Sequence, residues 1–220
     1  MDVLLTSIAV TVLFPFMLPI IIILRLTGEG EIFYIQNRLG KSGEIFGLYK
    51  FATMLKNSPN MMSGTLTIKD DPRVIPFGKF LRKTKINELP QLLNVLFGDM
   101  SLIGPRPMTP QTFSYYSQSS GELISKIPPG LSGVGSIVFR GEEDLLSQEN
   151  DPMIFYANTI APYKAKLEEW YVVNRSLGLY FLVIFLTIFV IIFPKSGIVW
   201  NVLKGAPVPP DNLRNLLNYT

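Results

Sequence analysis

Five cations, Arg73, Lys79, Arg82, Lys83 and Lys85, fall within thirteen residues of a chain whose net charge is only +3. So local a basic field suits phosphate groups or anionic headgroups, and gives no general surface for nucleic acid. It is followed by Asn87, Glu88 and the run Leu89-Pro90-Gln91-Leu92-Leu93-Asn94-Val95-Leu96-Phe97-Gly98. Asn87 reads as an N-cap, Pro90 as a first-turn proline, the leucines as an apolar stripe and Gly98 as a stop, which predicts a short helix over 88–97. The positive end of its dipole and its free N–H groups would stand beside Arg82, Lys83 and Lys85, where a carboxylate, a divalent cation and a pyrophosphate could meet. The plainer reading stays open: Glu88 as first-turn dipole compensation and the lysines as a solvated face.

Downstream, Gly104-Pro105-Arg106-Pro107 places one arginine between two prolines, which stiffen the backbone and preset where the guanidinium points. Arg140 is followed closely by Glu142, Glu143 and Asp144, readable as a helix N-terminus or as a second site for a metal or an arginine. The 220 residues contain neither histidine nor cysteine, so disulfides, thiolate metal sites and imidazole bases are excluded. Chemistry must run on carboxylates, Lys, Arg, hydroxyls and a hard cation.

The elements that carry these residues are legible in outline. From 3 to 24 no residue is charged, enough to cross hydrocarbon by length, and the block lacks the basic leader and cleavage site of a signal peptide. Pro15 and Pro19 predict a break within it. Arg25, Arg38 and Lys41 place its C-terminal side inside, while re-entry and a kinked span remain equally open. Alternating runs at 31–35 and 45–49 around Leu39-Gly40-Lys41-Ser42-Gly43 predict a strand pair with a glycine turn. The apolar block at 177–193 predicts an interfacial helix, with Trp170, Tyr171, Tyr180 and Trp200 at its flanks as headgroup anchors. Lys164, Lys166, Glu168 and Glu169 read as the solvated face of an amphipathic helix over 163–175, and the proline-containing tail as extended and weakly held. The expected organisation is a membrane-inserted segment at 1–26, a globular domain at 27–176, a membrane-contacting helix at 177–204 and a tail at 205–220.

The run from 81 to 107, the Tyr49-Lys50-Phe51-x-Thr53-Met54 segment, the Gln36-x-Arg38-x-Gly40 turn and the proline-containing N-terminal helix together resemble the bacterial sugar transferase family, the monotopic polyprenyl-phosphate phosphoglycosyl transferases. The resemblance implies a helix-rich α/β protein with a small sheet, a re-entrant N-terminal helix bent at Pro15, and a catalytic domain on the cytoplasmic face of the inner membrane. It implies transfer of a sugar 1-phosphate from a UDP-sugar to polyprenyl phosphate, with Mg2+, through a covalent phosphosugar on the Asp of an Asp-Glu pair. Glu88 matches the Glu of that pair and would help hold Mg2+, and Arg82 and Arg106 match positions that face phosphate. Lys85 and Arg140 join them as candidate phosphate contacts.

The sequence departs from the pattern at Asn87, which stands where the resemblance expects the nucleophilic Asp, and at Ala52, where it expects Arg. The stretch 134–144 also differs. An amide is a poor nucleophile, so the expected activity runs by direct attack of the lipid phosphate, or through another acid such as Asp70, Asp71, Glu142, Glu143 or Asp144. The alternative is an altered relative that binds nucleotide sugar or polyprenyl lipid as a scaffold. The bilayer, polyprenyl phosphate and UDP-sugar are the expected partners; a homodimer is left open.

Overall fold

The N-terminal apolar block folds as a single helix, α1 (Asp2–Leu26), in a computed structural model that describes residues 1–61, 71–194 and 196–219. The helix continues through Pro15 and Pro19 with no interruption, in place of the break predicted there. A proline costs a helix one hydrogen bond and crowds the carbonyl four residues back, and neighbouring turns can absorb that as curvature without ending the helix. By length and composition α1 can cross a membrane.

Two strands follow, β1 (Phe33–Leu39) and β2 (Ile45–Phe51). They form a two-stranded sheet around a 3-10 turn at Lys41–Gly43, where Ser42 and Gly43 take φ of 58° and 79°. The predicted hairpin is therefore present, each strand running further than its alternating pattern suggested. Next come α2 (Pro76–Lys83), a 3-10 turn at Ile86–Glu88, and α3 (Gln91–Phe97). Gly98 ends α3 with φ 88°, as its position predicted. The helix foreseen over 88–97 is divided: Asn87 lies within the 3-10 turn and does not cap α3, whose N-cap is Pro90.

These elements make one unit, Met1–Asn37 with Phe46–Gly98. Met17, Leu24, Phe51 and Leu81 form its core, with Ile20, Ile21, Ile75 and Leu89 packed around them. The second half of α1 thus belongs to this core, while Val3, Leu4, Ile8, Val12, Phe14 and Phe16 in the first half are exposed. Asn94 on α3 is fully buried and ties α3 to β2, accepting from the Tyr49 amide at 3.0 Å and donating to the Gly47 carbonyl at 2.8 Å.

The second unit takes the hairpin tip, Arg38–Ile45, and everything from Asp99 onward. β3 (Ser101–Ile103) pairs in parallel with β4 (Gly130–Ser132), Ser101 opposite Gly130 and Ile103 opposite Ser132. Between and after them lie short helices: α4 (Pro110–Phe113), α5 (Gln118–Ile124), α6 (Val134–Val138), α7 (Glu142–Leu146) and α8 (Pro152–Phe155). A π turn at Tyr156–Ile160 leads into α9 (Ala161–Asn174), followed by α10 (Leu177–Ile192), α11 (Ile198–Val202) and α12 (Asp211–Arg214). Although α10 is apolar all round, it buries Val183, Leu186 and Val190 and exposes Phe181, Phe185, Ile188 and Ile192. Ser132 and Thr187 share a 2.8 Å hydroxyl bond that fixes its register on β4.

Two expectations change here. Tyr171 is core, its hydroxyl donating to the Ile103 carbonyl at 3.3 Å, and Trp200 donates Nε1–H to the Leu217 carbonyl at 3.1 Å, so neither serves simply as a headgroup anchor. The tail is not merely extended: past 206–210 it forms α12, and it buries Leu213 and Leu217, because those side chains supply apolar area that the second unit's core accepts.

Candidate functional site

The expected site residues divide between the two units. In the first, the last turn of α2 carries Arg82 and Lys83, and Lys85 then adopts a left-handed backbone, φ 60° and ψ 12°. That conformation costs a residue with a Cβ about 1–2 kcal/mol, and it reverses the chain so that Asn87 and Glu88 follow in a tight turn. The Lys85 amide donates to the Arg82 carbonyl and the Glu88 amide to the Lys85 carbonyl, each at 3.1 Å, so two successive turns joined at Lys85 carry Arg82, Asn87 and Glu88. Asn87 is buried at 6% exposure, and its Oδ1 has no hydrogen-bond partner in the protein. Such an oxygen is costly unless something outside the chain meets it.

Arg73 leaves the basic field. It is buried, bonds the Asp71 carboxylate through Nε at 2.9 Å and Nη2 at 2.6 Å, and donates Nη1 to the Ser58 and Met61 carbonyls at 2.8 and 2.9 Å. The Arg73 guanidinium holds the Asp71 carboxyl below its ordinary range, with Arg82 adding to the effect. Asp71 is therefore committed internally and is a poor replacement nucleophile; Asp70 lies outside the described residues.

The second unit carries Arg106 and Arg140. The turn holding Arg106 is fixed at every residue from 103 to 108. Tyr171 donates to the Ile103 carbonyl, the Gly104 amide donates to Ser132 O at 2.9 Å and the Gly130 amide donates to Pro105 O at 2.7 Å. The Arg106 amide donates to Glu168 Oε1 at 3.3 Å, Arg38 Nη1 donates to Pro107 O at 3.2 Å and the Leu39 amide donates to Met108 O at 2.9 Å. Gly104 must be glycine, since a Cβ there would lie 2.7 Å from Pro128 O. Arg106 is half-buried between two buried prolines, so its guanidinium is the polar group this turn presents. Arg140 follows α6, also half-buried.

The residues that sequence reasoning placed on a solvated face prove central. Lys164 and Glu168 are 3% and 1% exposed. Lys164 Nζ bonds Glu142 Oε2, which removes Glu142 from the proposed acidic cluster, and it stands 5.5 Å from the Phe139 ring centroid. Burial pushes the Glu168 carboxyl up to about 7, against the lowering effect of the Arg106 amide, Lys164, the Arg106 side chain and the Gly135 amide. Burial likewise raises the Tyr116 and Tyr156 hydroxyls. An i, i+4 pair of opposite charges is what exposed helices also show, so only the glycines at 133 and 135 in the sequence hinted that something bulky lies against α6.

Among the described residues no three carboxylates gather closely enough to hold a metal ion. The turn at 85–88 offers one carboxylate, Glu88, and one buried amide oxygen with no partner, Asn87 Oδ1. That donor set suits Mg2+, which keeps several waters and takes the rest of its ligands from one or two carboxylates and substrate phosphates. The second unit also has an open cavity of about 600 Å3 beside Ser42, Phe113, Tyr116, Gln118 and Lys126, which none of the expected site residues lines.

Residues 1–194 match the family described as bacterial sugar transferase. The chain is 33% identical over 201 residues to the exopolysaccharide production protein ExoY of Sinorhizobium fredii, covering 85% of this chain and 81% of that protein. It is 35% identical over 193 residues to the UDP-N-acetylgalactosamine-undecaprenyl-phosphate N-acetylgalactosaminephosphotransferase of Aeromonas hydrophila, covering 86% of this chain and 42% of the relative. It is 32% identical over 201 residues to the UDP-glucose:undecaprenyl-phosphate glucose-1-phosphate transferase of Klebsiella pneumoniae, covering 89% and 40% respectively. The chain thus spans less than half the length of these last two relatives.

Proposed function

Since the chain belongs to the bacterial sugar transferase family, we propose that it transfers a sugar 1-phosphate from a UDP-sugar to polyprenyl phosphate, the step that begins a bacterial surface glycan. The observation that carries this reading is the Arg106 turn, whose backbone is bonded at six consecutive residues so that the Cα from which the guanidinium extends is held in a fixed place. Fixed bidentate donors aimed at phosphate oxygens are what phosphoryl transfer requires, because such catalysis is mostly positioning and charge stabilisation.

Asn87 does not attack phosphorus, and Asp71, Glu142 and Glu168 are all engaged inside the protein. Direct displacement is the route that needs no further acid. An oxygen of polyprenyl phosphate forms a bond to the phosphorus bearing the sugar, the bond from that phosphorus to the bridging oxygen of the uridylyl group breaks, and UMP leaves with the electron pair. Arg82 and Lys85 in the first unit, and Arg106 and Arg140 in the second, are the candidate phosphate contacts. Glu88 and the Asn87 oxygen would hold Mg2+, which when bound neutralises diphosphate charge.

In this reading the reaction runs at a bilayer, as the acceptor's lipid tail requires, and on the cytoplasmic face of the inner membrane. In support, α1 and α10 both turn rows of large apolar side chains outward. The second half of α1 is committed to the first unit's core, and over residues 3–16, about 21 Å of helix, only Thr6 is buried. That length is short of the roughly 30 Å hydrocarbon core and favours entry without crossing. Incubation of the purified chain with polyprenyl phosphate, Mg2+ and a panel of UDP-sugars should release UMP with one of them. Binding of a UDP-sugar without UMP release under any of these conditions would point to the scaffold reading.

A further inference from the structure

Of the six anchors that fix the Arg106 turn, one is chemically unlike the others. Five pair a backbone group with a neutral or cationic partner; the sixth is the Glu168 carboxylate, which accepts from the Arg106 amide. Glu168 is 1% exposed, and its Oε2 has no hydrogen-bond partner in the protein. A helix that needed only packing at this position would carry an apolar side chain, since a buried acid with one unmet oxygen is destabilising. The surroundings are shaped for it nonetheless. A Cβ on Gly135 would lie 2.4 Å from Glu168 Oε1 and 3.0 Å from its Cδ, so α6 omits a side chain where the carboxylate enters. Lys164, one turn earlier on α9, directs its ammonium to Glu142, so Glu168 is met by backbone amides, those of Arg106 and Gly135.

We propose that Glu168 is a positioning residue for Arg106, its carboxylate gripping the Arg106 amide from beneath so that the guanidinium stands where a nucleoside diphosphate's phosphates meet it. The inference rests on the reading of Arg106 as a phosphate contact. Pro105 and Pro107 limit the torsions of the turn, and the Glu168 bond sets the one amide between them; without it Arg106 can tilt, and its fork loses the aligned pair of donors that phosphate recognition needs.

The test is a mutant cycle on the full chain in detergent, with UDP as the probe, affinity measured by calorimetry and folding by thermal unfolding. Arg106→Ala should weaken UDP about tenfold or more. Glu168→Asp keeps the charge but withdraws the oxygen by about one bond length, and should weaken UDP nearly as much. Glu168→Gln keeps an acceptor oxygen in place and should restore most of the affinity. In the Arg106→Ala background both Glu168 variants should change affinity less than about twofold, because partners in one device are not additive. Equal losses from the Glu168 variants in both backgrounds, or better affinity with Asp than with Gln, would overturn the positioning role while leaving Arg106 as a phosphate contact. Unchanged UDP affinity in Arg106→Ala would overturn the underlying reading and this inference with it.

Discussion

The Arg73 guanidinium grips the Asp71 carboxylate two residues earlier in the chain, the side chains being 1% and 2% exposed, and so anchors the segment that leads into α2. Removing one partner leaves the other charge buried and uncompensated. Arg73→Met should therefore lower the stability of the first unit by about 3–5 kcal/mol, measured by urea unfolding at neutral pH. Because Arg73 holds the Asp71 carboxyl below its ordinary value of 3.8, this pair's stabilisation is present above that value and is lost as pH falls beneath it. Asp71→Asn should flatten the acid limb of the stability profile; an unaltered limb would contradict the assignment.

Glu168 gives the opposite sign. Its carboxyl titrates at 4.5 when unfolded and at about 7 when folded, so between these values the folded chain binds the extra proton. Stability should fall as pH rises from about 4.5 to about 7 and level off above, by a total of about 3 kcal/mol. Glu168→Gln should abolish that slope. The two windows do not overlap, so one pH series of melting temperatures distinguishes them.

At the 85–88 turn, chemistry and architecture separate in a single substitution. Asn87→Asp should permit a phosphosugar adduct on residue 87, seen as added intact mass after incubation with UDP-sugar and Mg2+, whereas the native chain should form none there. Glu88→Gln should reduce Mg2+-dependent turnover by roughly tenfold or more in both backgrounds, an amide being a weaker ligand than a carboxylate. An adduct on native Asn87, or full activity in Glu88→Gln, would refute this account.

The absence of cysteine makes topology directly measurable. Asp2→Cys introduces a unique thiol at the start of α1, and a membrane-impermeant maleimide added outside spheroplasts should fail to label it unless the membrane is opened. Labelling in intact spheroplasts would mean that α1 crosses.

Local features carried the legible part of the fold. The hairpin was written in alternation and in Gly40 and Gly43, the end of α3 in Gly98, and α10 in its unbroken apolar run. Positions set by distant partners were not legible. Lys164 and Glu168 have the spacing of a solvated pair, and what buries them comes from 22 and 62 residues away, Glu142 and Arg106. Arg73 likewise read as one of five surface cations until Ser58, Met61 and Asp71 closed around it. Asn87 had the right chemistry for a cap, but the left-handed Lys85 turns it inward, and that backbone choice has no signature in a lysine.

The hairpin tip belongs to a unit whose remainder lies much later in the chain: Arg38 finds Pro107 69 residues on, and the same unit gains Leu213 and Leu217 only near residue 217. On the ribosome, then, the first unit has nearly all its sequence while the tip still extends without its acceptors. The second unit cannot close until Leu213 and Leu217 have emerged to complete its core.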